Sequence, residues 1–221
     1  MSQPYIKVWD LPTRLFHWSL VAVVAGSFYT VKTSQMALHA YLGYGVLTLV
    51  LWRLGWGLWG SSTSRFSQFV RGPRVVLAYL RSLLAGQPHG HYGHNPAGAM
   101  MIVALLLVLL LQGLGGLFAS ENTFLFFDGP LVHWVGAAWS ETLTFWHKSS
   151  GSLLMVLVGL HVLANLLYLL LFRQNLVRPM LTGLRPPMPS GETGATPQAP
   201  LGRALVTLLI AGALVVGLLQ F

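Results

Sequence analysis

Apolar residues fall in five long stretches, at about 15–31, 38–58, 97–118, 149–172 and 204–221, each near the roughly 20 residues a helix needs to cross about 30 Å of hydrocarbon. Unpaired backbone groups are too costly in lipid for irregular structure, so the pattern predicts five transmembrane helices. The first stretch has neither a strongly basic leader nor a small-residue cleavage site, and it carries Arg14, His17 and Trp18; it reads as a helix of the mature chain, not a signal peptide. The connections differ in character. Residues 32–37 make a very short turn. Segment 61–96 opens a helix at Pro73 and sets Val76, Tyr79, Leu80, Leu83 and Leu84 on one stripe with Arg74 and Arg81 off it, which predicts a helix lying along a leaflet. Segment 119–146, with Phe124, Phe126, Phe127, Trp134, Trp139 and Trp146, has the aromatic content of an interfacial cap. Residues 186–202 hold five Pro and three Gly and read as a flexible linker.

Composition supports the membrane reading: 54% of the residues are hydrophobic and 8% charged, against roughly 25% charged in an average soluble chain. There is no Cys, which excludes disulfides, thiolate-held iron–sulfur clusters, covalent c-type haem and a Cys nucleophile. The net charge of +8 comes without a basic run or a nucleic-acid motif, so it is read as topology. Lys7, Arg14, Arg53, Arg65, Arg71, Arg74, Arg81, Arg173, Arg178, Arg185 and Arg203 fall on one side, and only Lys32 and Lys148 on the other. The positive-inside rule then predicts a cytoplasmic N-terminus, with Phe221 outside.

The chemistry lies in the histidines. Of eight, His17, His39, His147 and His161 sit at or within the predicted spans, where ionisable residues are rare and expensive. His147 and His161 are fourteen residues apart, about 21 Å of helical rise with about −40° of net rotation, so both point from one face toward opposite leaflets. His17 stands near the inner start of the first helix and His39 near the outer start of the second. Depth therefore pairs His17 with His161 and His39 with His147, and two pairs of facing imidazoles make two six-coordinate haem sites. Gly43 follows His39 by one turn and Gly151 follows His147 by one turn, clearing space on the same face for a flat macrocycle; close helix packing would also account for them. Gly113, Gly115 and Gly116 have no ligand beside them and read as packing glycines.

Trp9-Asp10-x-Pro12-Thr13-Arg14-x-x-His17-Trp18, His39-x-x-x-Gly43-Tyr44, Arg53-x-x-Trp56-Gly57, Gly93-His94-Asn95-Pro96-x-Gly98-Ala99, His147-x-x-x-Gly151, His161-Val162 and Asn175-Leu176-Val177-Arg178-x-Met180-x-Thr182-Gly183 follow one another in order. In these motifs, over about residues 7–185, the chain resembles the bacterial cytochrome b561 and nickel-iron-hydrogenase cytochrome b group of dihaem membrane proteins. The resemblance implies an all-α integral membrane fold, a four-helix haem-binding bundle in 1–185. A linker at 186–202 and a fifth transmembrane helix at 203–221 complete the expected chain. It also implies two non-covalent b-type haems whose four axial His come from the first, second and fourth helices.

Asn95-Pro96 has the form of a helix cap, and His94 is either its neighbour or a contact to a haem propionate or quinone. Arg14 and Arg53 either anchor helices at head groups or pair with propionates, and Lys148 has the same choice on its side. His89, His91 and His133 read as solvated loop residues. The leading function is an electron conduit through two bis-His haems, in the bacterial inner membrane, between the quinone pool and a redox protein such as a periplasmic c-type cytochrome. The anchor cytochrome b subunit of a hydrogenase-like complex is the alternative, and superoxide oxidation is a further activity implied by resemblance alone. A His-based metal or proton transporter is disfavoured because all five acids lie outside the spans, and a His-bound zinc enzyme because there is no His-Glu-x-x-His pattern. Beyond lipid and quinone, a homodimer is left open.

Overall fold

A computed structural model describes residues 5–87, 91, 93–121, 127–186 and 197–220. His89, Phe124, Phe126, Phe221 and most of the expected linker lie outside the described residues. In chain order the elements are β1 (Ile6–Lys7), α1 (Leu11–Lys32), α2 (Met36–Trp59), α3 (Phe66–Phe69), α4 (Pro73–Leu84), α5 (Pro96–Leu117), β2 (Ser120–Glu121), β3 (Phe127–Asp128), α6 (Ala137–Leu171), α7 (Val177–Thr182), β4 (Leu184–Arg185) and α8 (Leu201–Leu218). Helices α1, α2, α5, α6 and α8 are long and apolar enough to cross a membrane. The closely packed pairs are α1 with α2, α2 with α5, α5 with α6, and α2 with α8. Val46, Val50, Leu106, Val108, Leu109 and Leu154 form the central core, covered on one side by Phe16, Leu20 and Val24. The outer face of α6, with Leu153, Val156, Leu160, Leu163 and Leu170 exposed, is a continuous apolar surface suited to lipid.

The fourth span departs from its expected start. α6 begins at Ala137 and runs 35 residues, about 52 Å, so its first turns project beyond a hydrocarbon layer of about 30 Å. Trp139 and Trp146, expected in the interfacial cap, are helical because this end of α6 packs on structure of its own. The Ser140 hydroxyl donates to the Phe118 carbonyl at 3.0 Å, and the Ser120 amide donates to the Thr144 hydroxyl at 2.9 Å, fixing the β2–β3 hairpin against the helix. α4 differs more subtly. Val76 and Tyr79 are buried against the bundle, whereas Leu77, Leu80 and Leu84 are exposed on a neighbouring sector, so one apolar stripe is in fact divided between protein and lipid.

Two features tie the ends together. β1 pairs antiparallel with β4, and the Arg14 guanidinium donates to the Leu181 carbonyl at 2.5 Å while the Trp18 indole donates to Met180 at 3.2 Å, so α7 is held under the start of α1. The second is Asp10. Its carboxylate caps α1 by accepting from the Thr13 amide at 2.6 Å, and it also accepts from the Trp56 indole at 3.2 Å and the Ser64 hydroxyl at 3.4 Å. Thr13 and Ser64 share a further hydroxyl contact at 2.7 Å. A carboxylate that is only 3% exposed is tolerable here because each of these donors is aimed at it.

The fifth helix is bound to α2 by specific contacts. Ala204, Thr207, Ala211 and Val215 face inward, the Trp52 indole donates to the Ala204 carbonyl at 3.0 Å, and the Trp59 indole donates to the Thr207 hydroxyl at 2.9 Å. A side chain at Gly55 would sit 2.8 Å from the Thr207 methyl, so glycine is required for this approach.

Removal of the cap is expected to be felt across both helices. Asp10→Ala should lower the free energy of unfolding by about 1–3 kcal/mol, through the lost cap and the lost acceptor for Trp56 and Ser64, which keep only the Thr13 hydroxyl. Asp10→Asn, which keeps the cap, should lose less. Thermal unfolding in detergent followed by tryptophan fluorescence distinguishes the two.

Candidate metal centre

Histidines from three helices meet in two places. His17 of α1 faces His161 of α6 with ring centroids 6.5 Å apart, and His39 of α2 faces His147 of α6 with centroids 6.1 Å apart. α1 and α6 are not among the closely packed helix pairs, so the inner imidazoles span a gap between them. A metal bound at about 2 Å by one nitrogen of each ring would set two ring centroids about 6 Å apart, and both pairs suit that arrangement. Among the described residues no three His, Asp or Glu converge on one point. Two imidazoles per site are what a haem iron takes from a protein when the macrocycle fills its remaining positions.

The outer pair has its tautomers set. Nδ1 of His39 lies 2.9 Å from the Ser27 carbonyl and Nδ1 of His147 lies 2.9 Å from the Gln112 carbonyl. A carbonyl only accepts, so each Nδ1 carries the proton and donates it, leaving the Nε2 lone pair for a metal. In the inner pair His17 Nδ1 is buried without a partner, and the Trp18 ring stands edge-on to it at 4.9 Å.

Glycines shape the space beside these rings, only partly as the sequence suggested. A Cβ at Gly43 would meet nothing within 4 Å, so the face next to His39 is open, whereas one at Gly151 would lie 3.1 Å from the Gln112 amide. The close approach to a histidine is made by α5. A Cβ at Gly116 would fall 3.1 Å from the His147 ring, and one at Gly115 would touch the same residue at 3.7 Å; Gly113 alone of this group packs on a core side chain, Leu47. Gly115 and Gly116 therefore do have a histidine beside them, contrary to the sequence reading, which compared neighbours on one helix and could not see across to the next.

On the arginine-rich side, Arg53 is no head-group anchor. It is 3% exposed, its guanidinium lies over the Phe66 ring at 4.9 Å and the Phe69 ring at 5.9 Å, and its Nη1 is buried without a hydrogen-bond partner. A buried guanidinium in this state wants an anion. Arg14 spends one nitrogen on Leu181, while its Nε is buried and unpartnered. Lys148 is exposed and ion-paired to Glu121. Asn95 caps α5, accepting from the Gly98 amide at 2.7 Å with Pro96 in the first turn. His94 is held between Trp9 and Phe69, with ring centroids at 4.5 and 4.7 Å. Burial there, reinforced by the positive fields of Arg53, His161 and His17, lowers its pKa to about 3. His91 stands with its ring against Tyr79, and His133 beside Trp134.

Sequence reasoning missed several residues of this region: Asp10, the Ser27 and Gln112 carbonyls, Gly116, and a polar file on α6. The last had a signal in the sequence. Asn165 and Tyr168 follow His161 at i+4 and i+7 in an otherwise apolar run, so all three share one face.

The family model for prokaryotic cytochrome b561 matches residues 8–183. The chain belongs to the prokaryotic cytochrome b561 family. As a member it is a membrane b-type cytochrome that transfers electrons. It is also similar to the probable Ni/Fe-hydrogenase B-type cytochrome subunit of Bradyrhizobium diazoefficiens, at 24% identity, with 84% of this chain and 87% of that protein covered. No solved structure matches it. Helix α8 lies beyond the part that the b561 family model covers.

Two outcomes follow from the site. His94 binds its proton far more weakly when folded than the ordinary pKa of about 6.5. Between about pH 3 and 6.5 the unfolded chain therefore binds more protons, and stability should fall as pH drops through that window and be flat above it. His94→Gln should make the acid limb shallower in pH-dependent thermal unfolding. Gly116→Val should crowd the His147 ring and alter the haem absorbance in the visible spectrum.

Proposed function

We propose that this cytochrome holds two b-type haems, one between His17 and His161 and one between His39 and His147, and carries electrons across the bilayer between the quinone pool and a redox protein. The observation that carries the reading is the two pairs of facing imidazoles, at 6.5 and 6.1 Å, to each of which α6 contributes one ring. Haem bound at each pair supplies reversible one-electron chemistry. The chain's own part is to fix the imidazoles, exclude water and neutralise charge. Ser27 and Gln112 orient His39 and His147, the open face at Gly43 leaves room for the ring, and the unpartnered donors of Arg53 and Arg14 suit the propionates of the inner group.

We assign the arginine-rich face to the cytoplasm by the positive-inside rule, with the N-terminus inside, and the location to the bacterial inner membrane. On the opposite face Glu121, Asp128 and Glu141 line a cleft beside Lys148 at the projecting end of α6. Acidic groups near the outer pair suit docking of a basic soluble cytochrome. On the inner side His94, Asn95 and the arginines offer donors for a quinone carbonyl. The named relative favours a second reading, the membrane cytochrome b subunit of a hydrogenase-like complex. It shares the haem sites and differs in the partner. A His-based metal or proton transporter has less support: the acid nearest the bundle, Asp10, is fully engaged in capping and bracing α1.

Pyridine haemochrome analysis of the purified protein should give a b-type spectrum at two haems per chain. His39→Ala and His147→Ala should remove one and the same redox component, and His17→Ala and His161→Ala the other. One haem per chain, or loss of the same component from His17→Ala and His147→Ala, would contradict the assignment.

A further inference from the structure

Below the inner histidine pair, toward the arginine-rich face, α6 carries a polar file that haem ligation leaves unused. Asn165 donates to the His161 carbonyl at 2.7 Å. Tyr168, one turn further, accepts from the Asn95 amide at 3.1 Å and shares a hydrogen bond of 2.6 Å with the hydroxyl of Tyr79. Tyr79 comes from α4, the amphipathic helix that carries the exposed Arg74 and Arg81. Three elements thus contribute hydroxyl or amide groups to one line, running from about 10 Å of helix rise below His161 out to the surface helix.

We propose that Tyr168 and Tyr79 form a proton relay between water at the arginine-rich face and a quinone head group held at Asn95. The inference rests on the quinone-linked reading above. Reduction of a quinone to its quinol takes up two electrons and two protons; the electrons are what a b-type cytochrome provides, and the protons need a path of their own. The Tyr168 hydroxyl gives its proton to a quinone carbonyl oxygen, takes one from the Tyr79 hydroxyl, and Tyr79 is refilled from water. Each tyrosine ends as it began, two passages complete one quinol, and oxidation runs the sequence backward.

The local chemistry favours shuttling over simple bracing. The Asn95 amide occupies one lone pair of the Tyr168 oxygen, so the two hydroxyls can exchange the donor role between themselves. The groups facing Tyr79 are Tyr168 from α6, the His91 ring and Arg185 from β4. Burial first, and then the bond to Tyr168, push Tyr79 above its ordinary range, with Arg185 opposing, so Tyr79 remains a neutral donor near pH 7. The buried faces of α4 and α6 could have been joined by leucines. Phenolic pairs in such surroundings cost desolvation and are expected where a proton has to travel.

The test uses the full-length haem-loaded protein in lipid nanodiscs, with Tyr168→Phe and Tyr79→Phe, and with Tyr41→Phe, an exposed tyrosine on α2, as control. Haem content and midpoint potentials report folding. Binding of a non-reducible quinone analogue, read by its fluorescence quenching, reports the head-group site without turnover. Stopped-flow haem reduction by a soluble quinol, across pH and in heavy water, reports proton transfer. The relay predicts analogue affinity within about twofold of wild type, quinol-linked rates lower by about 10²-fold in Tyr168→Phe, and a changed pH profile and solvent isotope effect in both variants. Tyr79→Phe, altered only on the peripheral helix, carries the test if Tyr168→Phe does not assemble. Wild-type rates, or a loss explained entirely by weaker analogue binding, would overturn the relay alone. Failure of the wild-type protein to bind the analogue or to respond to quinol would overturn the quinone reading and the relay with it.

Discussion

A buried imidazole nitrogen without a partner costs free energy, and at the outer histidine pair that cost organises the packing. Ser27 and Gln112 remove it on one nitrogen of each outer histidine through backbone carbonyls, and these are available only because α1 lies against α2 and α5 against α6. The other nitrogen keeps the lone pair that a metal would take. Had the helices closed until those rings touched, nothing could be bound; at 6.1 and 6.5 Å between centroids each pair leaves room for one metal atom. The glycines on α5 serve the same end, since a Cβ at Gly116 would already sit 3.1 Å from the His147 ring.

The braces lie away from these pairs. Asp10 ties the start of α1 to Trp56 at the end of α2, and the two tryptophan donors of α2 tie it to α8. Helix α2, which carries His39, is therefore packed by α1, α5 and α8. This gives the fifth helix a physical role that its sequence did not disclose: it supports α2 along the flank that carries Trp52, Gly55 and Trp59, outside the region that the family model matches.

Much of this was legible in the chain. Hydrocarbon thickness sets helix length, so the spans could be counted, and fourteen residues of helical rise was enough to assign the histidines to two depths. What was not legible depended on contacts between distant segments. The early start of α6 depends on the hairpin at Ser120 and Asp128, which an aromatic count does not reveal. Gly116 looked like a packing glycine because its histidine neighbour belongs to another helix, and the choice between head-group anchor and propionate partner for Arg53 stayed open because only the folded chain lays Phe66 and Phe69 beside it. Asn165 and Tyr168 were visible as a polar file in an apolar run, but their meaning came only when Asn95 and Tyr79 arrived from other elements.

The central claim is that each histidine pair closes both axial positions of a haem iron. Electron paramagnetic resonance of the oxidised protein in oriented membrane layers tests it most directly. The account predicts two low-spin ferric signals of equal intensity, as iron with two imidazoles gives. A high-spin ferric signal in the freshly prepared protein, or a single low-spin species accounting for all the iron, would contradict it.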